Sequence, residues 1–251
     1  MDLEAFRSLP EWPLILRESW ETNASWWQAG FTEGSDAEYE EQIKPIVRLG
    51  LRGAHRVLDL GGGDGQLARV LADDGADTVV LDSSHAQLTT ARIRGSSAVL
   101  ATGAALPFQN RSFDAVLICL VLEHVIELDE VLAEVARVLE AGGRFLLLLN
   151  HPILQTPGSG FIDDVELGEQ YWRLGPYLRE DIQMEEVDAQ VFVPFVHRPL
   201  SQYVNRASDR GLTLVGMEEP APPPGFVARA DEYRQVQEYP RLLVLHFERR
   251  P

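Results

Sequence analysis

The stretch VLDLGGGDGQLA, from Val57 to Ala68, decides how the rest of the chain folds. An apolar run typical of a buried strand is followed at once by four glycines in five positions and then by the start of a helix. Ordered glycine costs backbone entropy, so a cluster of this density indicates a loop whose backbone a ligand approaches closely. A tight turn alone would need only one of these glycines.

The segments around this loop alternate between short apolar strands and helices. Strands are predicted at 55–60, 78–83, 97–102, 113–122 and 144–151, and helices at 66–75, 85–95 and 128–140, the last of them ended by Gly142 and Gly143. Strands that are apolar on both faces and alternate with helices indicate a parallel sheet that is covered on both sides. In such a sheet ligands bind at the carboxyl ends of the strands, which is where the glycine loop falls.

The flanking regions depart from this alternation. The first fifty residues are predicted to be helical and rich in tryptophan, with Ser35 and Glu38 at capping-box spacing for a helix that Pro45 kinks or delays. Residues 152–198 are too long for an ordinary connection and include a possible hairpin at 183–195. We expect this insertion to form a lid or a wall of the substrate pocket, the alternative being a packing appendage.

The organisation that follows is a single domain over 1–251. It is divided into a helical cap, a cofactor-binding core, the lid or substrate insertion and the C-terminal part of the sheet, at 1–52, 53–151, 152–198 and 199–251.

Composition excludes several classes of partner. The net charge is −17 and the chain has no basic patch, so we expect no binding to nucleic acid. The longest apolar run, at 115–122, is far shorter than the roughly 18 residues of a membrane helix, so no membrane partner is expected. The single cysteine, Cys119, and an acidic N-terminus without signal-peptide features predict a cytoplasmic protein.

The glycine loop can be compared with two ligand-binding sequence patterns. A dinucleotide fingerprint, G-x-G-x-x-G, fails from Gly61 because Gln66 ends it, and from Gly63 it fits only in the looser form that ends in alanine. That second frame also puts Asp64 in a loop that would have to hold a pyrophosphate. The other pattern is D-x-G-x-G-x-G, formed by Asp59 and three of the glycines.

The second pattern continues downstream, with LPF at 106–108, SFD at 112–114 and RVLEAGGRFLLL at 137–148. In these motifs the chain resembles the class I S-adenosylmethionine-dependent methyltransferases, in their small-molecule, type 11-like branch, over about residues 55 to 150. The resemblance implies a Rossmann-like α/β fold with a seven-stranded, mostly parallel sheet whose last strand is antiparallel. It also implies S-adenosyl-L-methionine as cofactor, a small-molecule acceptor, and a monomer or homodimer.

The resemblance also implies a set of cofactor contacts. Asp59 would hold the ammonium group, Asp82 the ribose diol, and 102–104 would frame the adenine, although Thr102 stands where the family often has an acidic residue. The full expected set is Asp59, Gly61, Gly63, Gly65, Asp82, Ser83, Thr102, Gly103, Ala104, Cys119, Leu120, Trp27 and Tyr39.

Catalysis is less well marked. Methyl transfer from a sulfonium requires mainly alignment, and a base helps when the acceptor is a hydroxyl or an amine, so O- or N-methylation is expected rather than C-methylation. His151 and His124 follow the fifth and fourth strands and are the candidate bases, with His151 placed first and His124 and His197 below it; the alternative for His151 and His197 is that they shape the chain and satisfy backbone carbonyls. No metal-binding spacing occurs. The rival functions are an NAD-dependent oxidoreductase and a non-catalytic S-adenosylmethionine-binding protein.

Overall fold

A seven-stranded sheet forms the centre of the computed structural model, which describes residues 5–6, 8–230 and 235–251. Its strands are β1 Arg56–Leu60, β2 Asp77–Asp82, β3 Ser97–Leu100, β4 Phe113–Cys119, β5 Leu139–Asn150, β10 Leu212–Glu218 and β11 Leu242–Arg249. Their order is β10-β11-β5-β4-β1-β2-β3, and β11 runs antiparallel to both of its neighbours. The predicted sheet with an antiparallel last strand is therefore confirmed.

Four hairpin strands and eight α-helices complete the described part of the chain. The hairpin strands are β6 Gly160–Asp164, β7 Glu169–Arg173, β8 Asp181–Asp188 and β9 Val191–His197. The helices are α1 Trp12–Thr22, α2 Ala24–Phe31, α3 Lys44–Gly50, α4 Gln66–Asp73, α5 His85–Ile93, α6 Leu128–Val138, α7 Leu200–Asp209 and α8 Pro224–Val227. None of these helices combines the length and the apolar character that a membrane span requires.

The core lies on both faces of the sheet. On one face, α6 and α7 pack their apolar residues against β1, β4 and β5, with Leu58 and Phe145 among the buried side chains. On the other face, α3, α4 and the segment around Tyr39 pack against the same strands. Because the central strands are covered on both sides, the loops at their carboxyl ends sit on a rigid scaffold.

The junction of α6 and β5 differs from the sequence-based expectation. The helix ends at Val138, and Gly142 and Gly143 lie inside β5 instead of ending the helix. The pairing of Phe113 with Leu139 is followed by that of Ala115 with Arg144, so two steps along β4 match five along β5. The glycines therefore belong to a bulge, where Gly142 has a φ of 74°.

The start of the helical segment before β1 also differs. Asp36, not Ser35, caps it, because the amide of Tyr39 donates to Asp36 Oδ1 at 3.0 Å. A π-helical turn over Tyr39–Ile43 then precedes α3, in which Pro45 occupies the first turn. The helical run thus extends from 37 to 50 without a break, so Pro45 does not delay its start; the irregular π-helical turn lies just before the proline, which has no amide to donate.

The insertion at 152–198 forms two hairpins, of which β8–β9 covers the predicted one. Strand β9 packs on α1, where Ser19 Oγ and Asn23 Nδ2 both donate to the carbonyl of Phe192, at 2.8 and 2.9 Å. The insertion thus supports the N-terminal helices from outside.

Candidate active site

A cavity of about 310 Å³ opens at the carboxyl ends of β1 to β4, under the N-terminal helices. Its floor consists of the loops that follow these strands, and α1 and α2 form its roof. The lining includes, from the floor, Asp59, Gly61, Gly63, Asp64, Asp82, Ser83, Thr102, Gly103, Ala104, Cys119, Leu120 and His124, and, from the roof, Trp12, Leu16, Arg17, Trp20 and Trp27, with Tyr39 beside them.

The glycine loop is closed by its own hydrogen bonds. The amides of Gly61 and Gly62 both donate to Leu81 O, that of Gly63 to Asp82 Oδ2, and that of Gly65 to Gly62 O. A Cβ on Gly61 would lie 2.5 Å from Val121 Cγ2, and its φ of 74° excludes most side chains. The loop therefore offers a ligand close backbone approach but not the four glycine amides that a pyrophosphate would use.

Asp59 anchors the loop to the helix behind it. Its carboxylate is 1% exposed, and Oδ2 accepts from the amide of Ala68 in α4 at 3.1 Å. Burial, reinforced by the nearby charge of Asp82, raises the pKa of Asp59 to about 7. An uncompensated buried carboxylate beside a cavity favours a cationic ligand there.

Asp82, at the end of β2, is held from two sides. Oδ1 accepts from the amide of Ser84 at 2.8 Å and Oδ2 from that of Gly63 at 3.0 Å. Burial raises its pKa, while these two amides act in the opposite direction. Each oxygen keeps a second lone pair, so the fixed carboxylate can accept hydrogen bonds from a vicinal diol.

Asp64 does not present its charge to the cavity. Its carboxylate is 2% exposed and forms ion pairs with Arg94 and, at 3.5 Å, with Arg69. Contrary to the expectation from the sequence, Asp64 would therefore not repel a pyrophosphate, because two arginines neutralise its carboxylate. What disfavours a dinucleotide is instead the internal use of the glycine amides.

The segment expected to frame an adenine is fixed by α6. Gly103 packs within reach of Leu60 and Val131, so a Cβ there would lie 3.1 Å from Leu60 Cδ2. Glu134 Oε2 accepts from the amide of Leu106, and Arg137 donates to the carbonyl of Leu106. Thr102 lines the cavity.

Aromatic rings line the roof of the cavity. Trp27 stacks on Phe31 at 4.4 Å between centroids, and Trp20 and Tyr39 meet Trp27 edge-on at 5.6 and 6.2 Å. Tyr39 and Cys119 belong to the same buried cluster beneath the roof. Burial raises the pKa of the Cys119 thiol well above its usual range, so Cys119 is a neutral wall residue.

His124 lies in a short 3₁₀ turn after β4 and lines the cavity. Its ring sits between Trp20 and Phe195, at 4.8 and 4.5 Å, and Nδ1 lies 2.7 Å from the carbonyl of Pro194. A carbonyl only accepts, so Nδ1 carries the proton and Nε2 keeps its lone pair. Burial lowers the pKa of His124 to about 4, so the ring is neutral at pH 7.

Three expected residues lie outside the lining of this cavity. Both ring nitrogens of His151 are occupied, Nε2 by Glu219 Oε1 at 2.8 Å and Nδ1 by the amide of Ile153 at 3.2 Å. His197 binds the carbonyl of Tyr177 through Nε2, at 2.8 Å. Gly65 precedes α4 with a φ of 80° and serves the turn.

Sequence reasoning missed three residues of this region. Arg198 is 1% exposed and donates to the carbonyls of Leu122, Val125 and Ile126, which flank His124. Glu21, on α1, binds the loop after Asp82, and Arg17 lines the roof. Their sequence context carries no motif. The one available signal was that Arg198 follows the apolar run VFVPFVH, where a charge is unusual.

Within the described residues, no three His, Cys, Asp or Glu side chains come together as a metal site would require.

Comparison with known proteins connects this geometry to a family. Residues 58–147 match a family described as a methyltransferase domain. The demethylmenaquinone methyltransferase of Corynebacterium glutamicum is 39% identical over 127 residues, which are 50% of this chain and 54% of that protein. An uncharacterized methyltransferase of Mycobacterium tuberculosis is 35% identical over 135 residues, 53% of each chain. The chain thus spans about half the length of the curated relatives it matches.

Solved structures extend the similarity to most of the chain. An S-adenosylmethionine-dependent methyltransferase from Mesorhizobium loti superposes with a TM-score of 0.71 at 26% identity, covering 82% of this chain and 96% of that one. A putative S-adenosylmethionine-dependent methyltransferase from Listeria monocytogenes shares the fold, with a TM-score of 0.71 at 22% identity and coverage of 85% and 97%.

Proposed function

We propose that this chain, which belongs to the class I S-adenosylmethionine-dependent methyltransferases, methylates a hydroxyl or amine of a small-molecule acceptor. The observation that carries the proposal is that two kinds of chemical group line the same cavity. Asp59 and Asp82 provide fixed carboxylates beside the glycine loop, and His124 provides a neutral imidazole beneath the aromatic roof.

The chemistry of the cavity fits the cofactor. S-adenosylmethionine presents an ammonium, a sulfonium and a ribose diol, and it has no phosphate. Asp82 is positioned to accept from the diol, and the buried Asp59 favours the ammonium end. The electron-rich faces of Trp20 and Trp27 attract a sulfonium by cation–π interaction. A loop whose glycine amides are already used supports this ligand over NAD.

The cofactor supplies an activated methyl group, and the protein's work is to align the acceptor with it. Alignment of two reactants accounts for up to about 7–11 kcal/mol of barrier lowering in favourable cases. Leu16, Val125 and the tryptophans give the cavity an apolar lining. Nε2 of His124 is the group available to accept a proton from an acceptor hydroxyl, because the carbonyl of Pro194 fixes the tautomer.

Calorimetric titration with S-adenosylmethionine, S-adenosylhomocysteine and NAD tests the proposal. We expect both adenosyl ligands to bind the wild type and NAD not to bind. Asp82→Ala should raise the Kd roughly tenfold to a hundredfold, since it removes charged acceptors of two hydrogen bonds. Asp77→Ala, at the exposed opposite end of β2, is the matched control and should leave the Kd unchanged.

Each alternative result has a defined meaning. Failure of the folded wild type to bind either adenosyl ligand would refute the proposal, and binding of NAD in their place would favour an oxidoreductase. Binding of the adenosyl ligands without turnover of any phenol, amine or hydroxy acid in an acceptor screen would favour a non-catalytic binding protein.

A further inference from the structure

Glu21, in the last turn of α1, connects the roof of the cavity to the loop that carries Asp82. Glu21 Oε2 accepts from Ser84 Oγ at 2.7 Å, and both carboxylate oxygens lie 3.2 Å from the amide of Ala86. Ala86 lies in the first turn of α5, where a helix has unpaired amides and a carboxylate is stabilised by the helix dipole. The contact joins residues more than sixty positions apart.

Ser84 is the shared partner of Glu21 and Asp82. It is fully buried, and its amide donates to Asp82 Oδ1 at 2.8 Å. Its Oγ accepts from the amide of Gln87 at 3.2 Å, so the hydroxyl proton is directed to Glu21. The orientation of Ser84 is therefore set by the cap helix, and one oxygen of Asp82 is set by Ser84.

The contact of Glu21 also ties the roof of the cavity to its floor. Trp12, Leu16, Arg17 and Trp20 of α1 line the cavity from above, and Glu21 of the same helix joins it to the loop after Asp82. A second contact, from Gln28 Nε2 in α2 to Gln87 Oε1 in α5 at 2.9 Å, acts in the same direction. The position of the roof helices is therefore linked to the ribose-binding loop by side-chain hydrogen bonds.

We infer that Glu21 is a positioning residue that orients the ribose-binding carboxylate of Asp82 through Ser84 and so ties the position of α1 to cofactor binding. The inference rests on the proposed function, since it assigns Asp82 to the cofactor ribose. The contact does not serve to attract the cofactor by charge, because the charge of Glu21 acts against ionisation of Asp82. What matters is an acceptor at this position.

A double-mutant cycle tests the inference with S-adenosylhomocysteine as the probe, measured by calorimetry. Glu21→Ala should raise the Kd about fivefold, in line with loss of a charged hydrogen bond at a partly solvated site, and should speed dissociation in stopped-flow tryptophan fluorescence. Glu21→Gln, which keeps an acceptor for Ser84 Oγ, should recover most of the affinity. Glu18→Ala, an exposed carboxylate on the same helix, is the matched control and should have no effect.

The background of Asp82→Asn distinguishes positioning from a structural role. If Glu21 acts through Asp82, Glu21→Ala should change the Kd little once Asp82 is replaced, because coupled residues are not additive. Equal effects in both backgrounds, or no effect in the wild type, would overturn the inference while leaving the proposed function intact. Failure of Asp82→Asn to weaken binding would refute the ribose assignment itself, and failure of the wild type to bind would refute both.

Discussion

Replacing Arg198 by methionine is expected to destabilise the fold and to disturb the turn that carries His124. The guanidinium is 1% exposed and donates three hydrogen bonds to main-chain carbonyls, at 3.0 Å to Leu122, 2.7 Å to Val125 and 3.0 Å to Ile126. Methionine fills much of the same volume, so the change isolates the loss of the donors from the creation of a large cavity.

The expected loss of stability depends on which hydrogen bonds the three carbonyls keep once Arg198 is replaced. Leu122 O retains the amide of Val125 at 3.4 Å, and Ile126 O retains that of Leu128 at 2.9 Å. Within the described part of the chain, Val125 O keeps no other partner. A buried group left unsatisfied costs about 1–3 kcal/mol, and two weakened carbonyls add to it, so we expect a loss of about 2–4 kcal/mol in the free energy of unfolding.

Urea denaturation followed by tryptophan fluorescence measures this loss. An unchanged m-value would show that the variant and the wild type expose the same surface area on unfolding, so that their free energies of unfolding can be compared. Arg179→Met is the matched control, because Arg179 is exposed and its contact with Asp181 is 3.6 Å; it should cost less than about 0.5 kcal/mol. At a temperature where the variant stays folded, methyl transfer should fall more than affinity for S-adenosylhomocysteine. A loss no larger than that of the control would refute the reasoning.

Three further substitutions test the site. His124→Phe keeps the ring contacts but removes Nε2, so kcat should fall about a hundredfold or more while the Kd of S-adenosylhomocysteine, measured in parallel, stays within twofold. Asp59→Asn should stabilise the protein more at pH 8 than at pH 5, by about 2–3 kcal/mol in urea titrations. With a folded-state pKa of about 7, only the unfolded state releases this proton between about pH 4 and pH 7, so the wild type loses stability over that window; an equal effect of the substitution at both pH values would contradict this. Gly61→Ala should abolish cofactor binding in calorimetry, because the added methyl group would push Val121 into the cavity. Adding Val121→Ala should restore part of the binding. A single Gly61→Ala variant that still binds the cofactor would contradict the expected clash with Val121.

The sheet and the cofactor loop could be predicted from the sequence because their signals are local. Buried strands are apolar over consecutive residues, and the glycines of the loop follow β1 directly. One stretch of about a dozen residues therefore shows both the strand and the place of the loop at its carboxyl end. The errors arose where local signals admit two outcomes. Gly142 and Gly143 are equally compatible with a helix end and with a bulge, and only the register between β4 and β5 decides for the bulge.

The partners of individual side chains could not be predicted, because they depend on contacts between distant segments. His151 and His124 both follow strands at the same edge of the sheet, and sequence reasoning placed His151 first without knowing the partners of either ring. In the structure Glu219 and the amide of Ile153 occupy both nitrogens of His151, whereas among the described residues only one nitrogen of His124 has a hydrogen-bond partner. Position in the fold identified the candidates, and hydrogen-bond partners separated them.

Strand β9 connects the two parts of the site that sequence reasoning treated separately. The carbonyl of Pro194 fixes the tautomer of His124, and two residues earlier the carbonyl of Phe192 receives hydrogen bonds from Ser19 and Asn23 of the cap. One strand therefore sets both the tautomer of the candidate base and the position of the roof above it. None of the residues that line the cavity comes from 152–198, so the predicted lid role stays a prediction. Changes in this insertion should therefore alter acceptor preference through the contacts of β9 with His124 and with the cap.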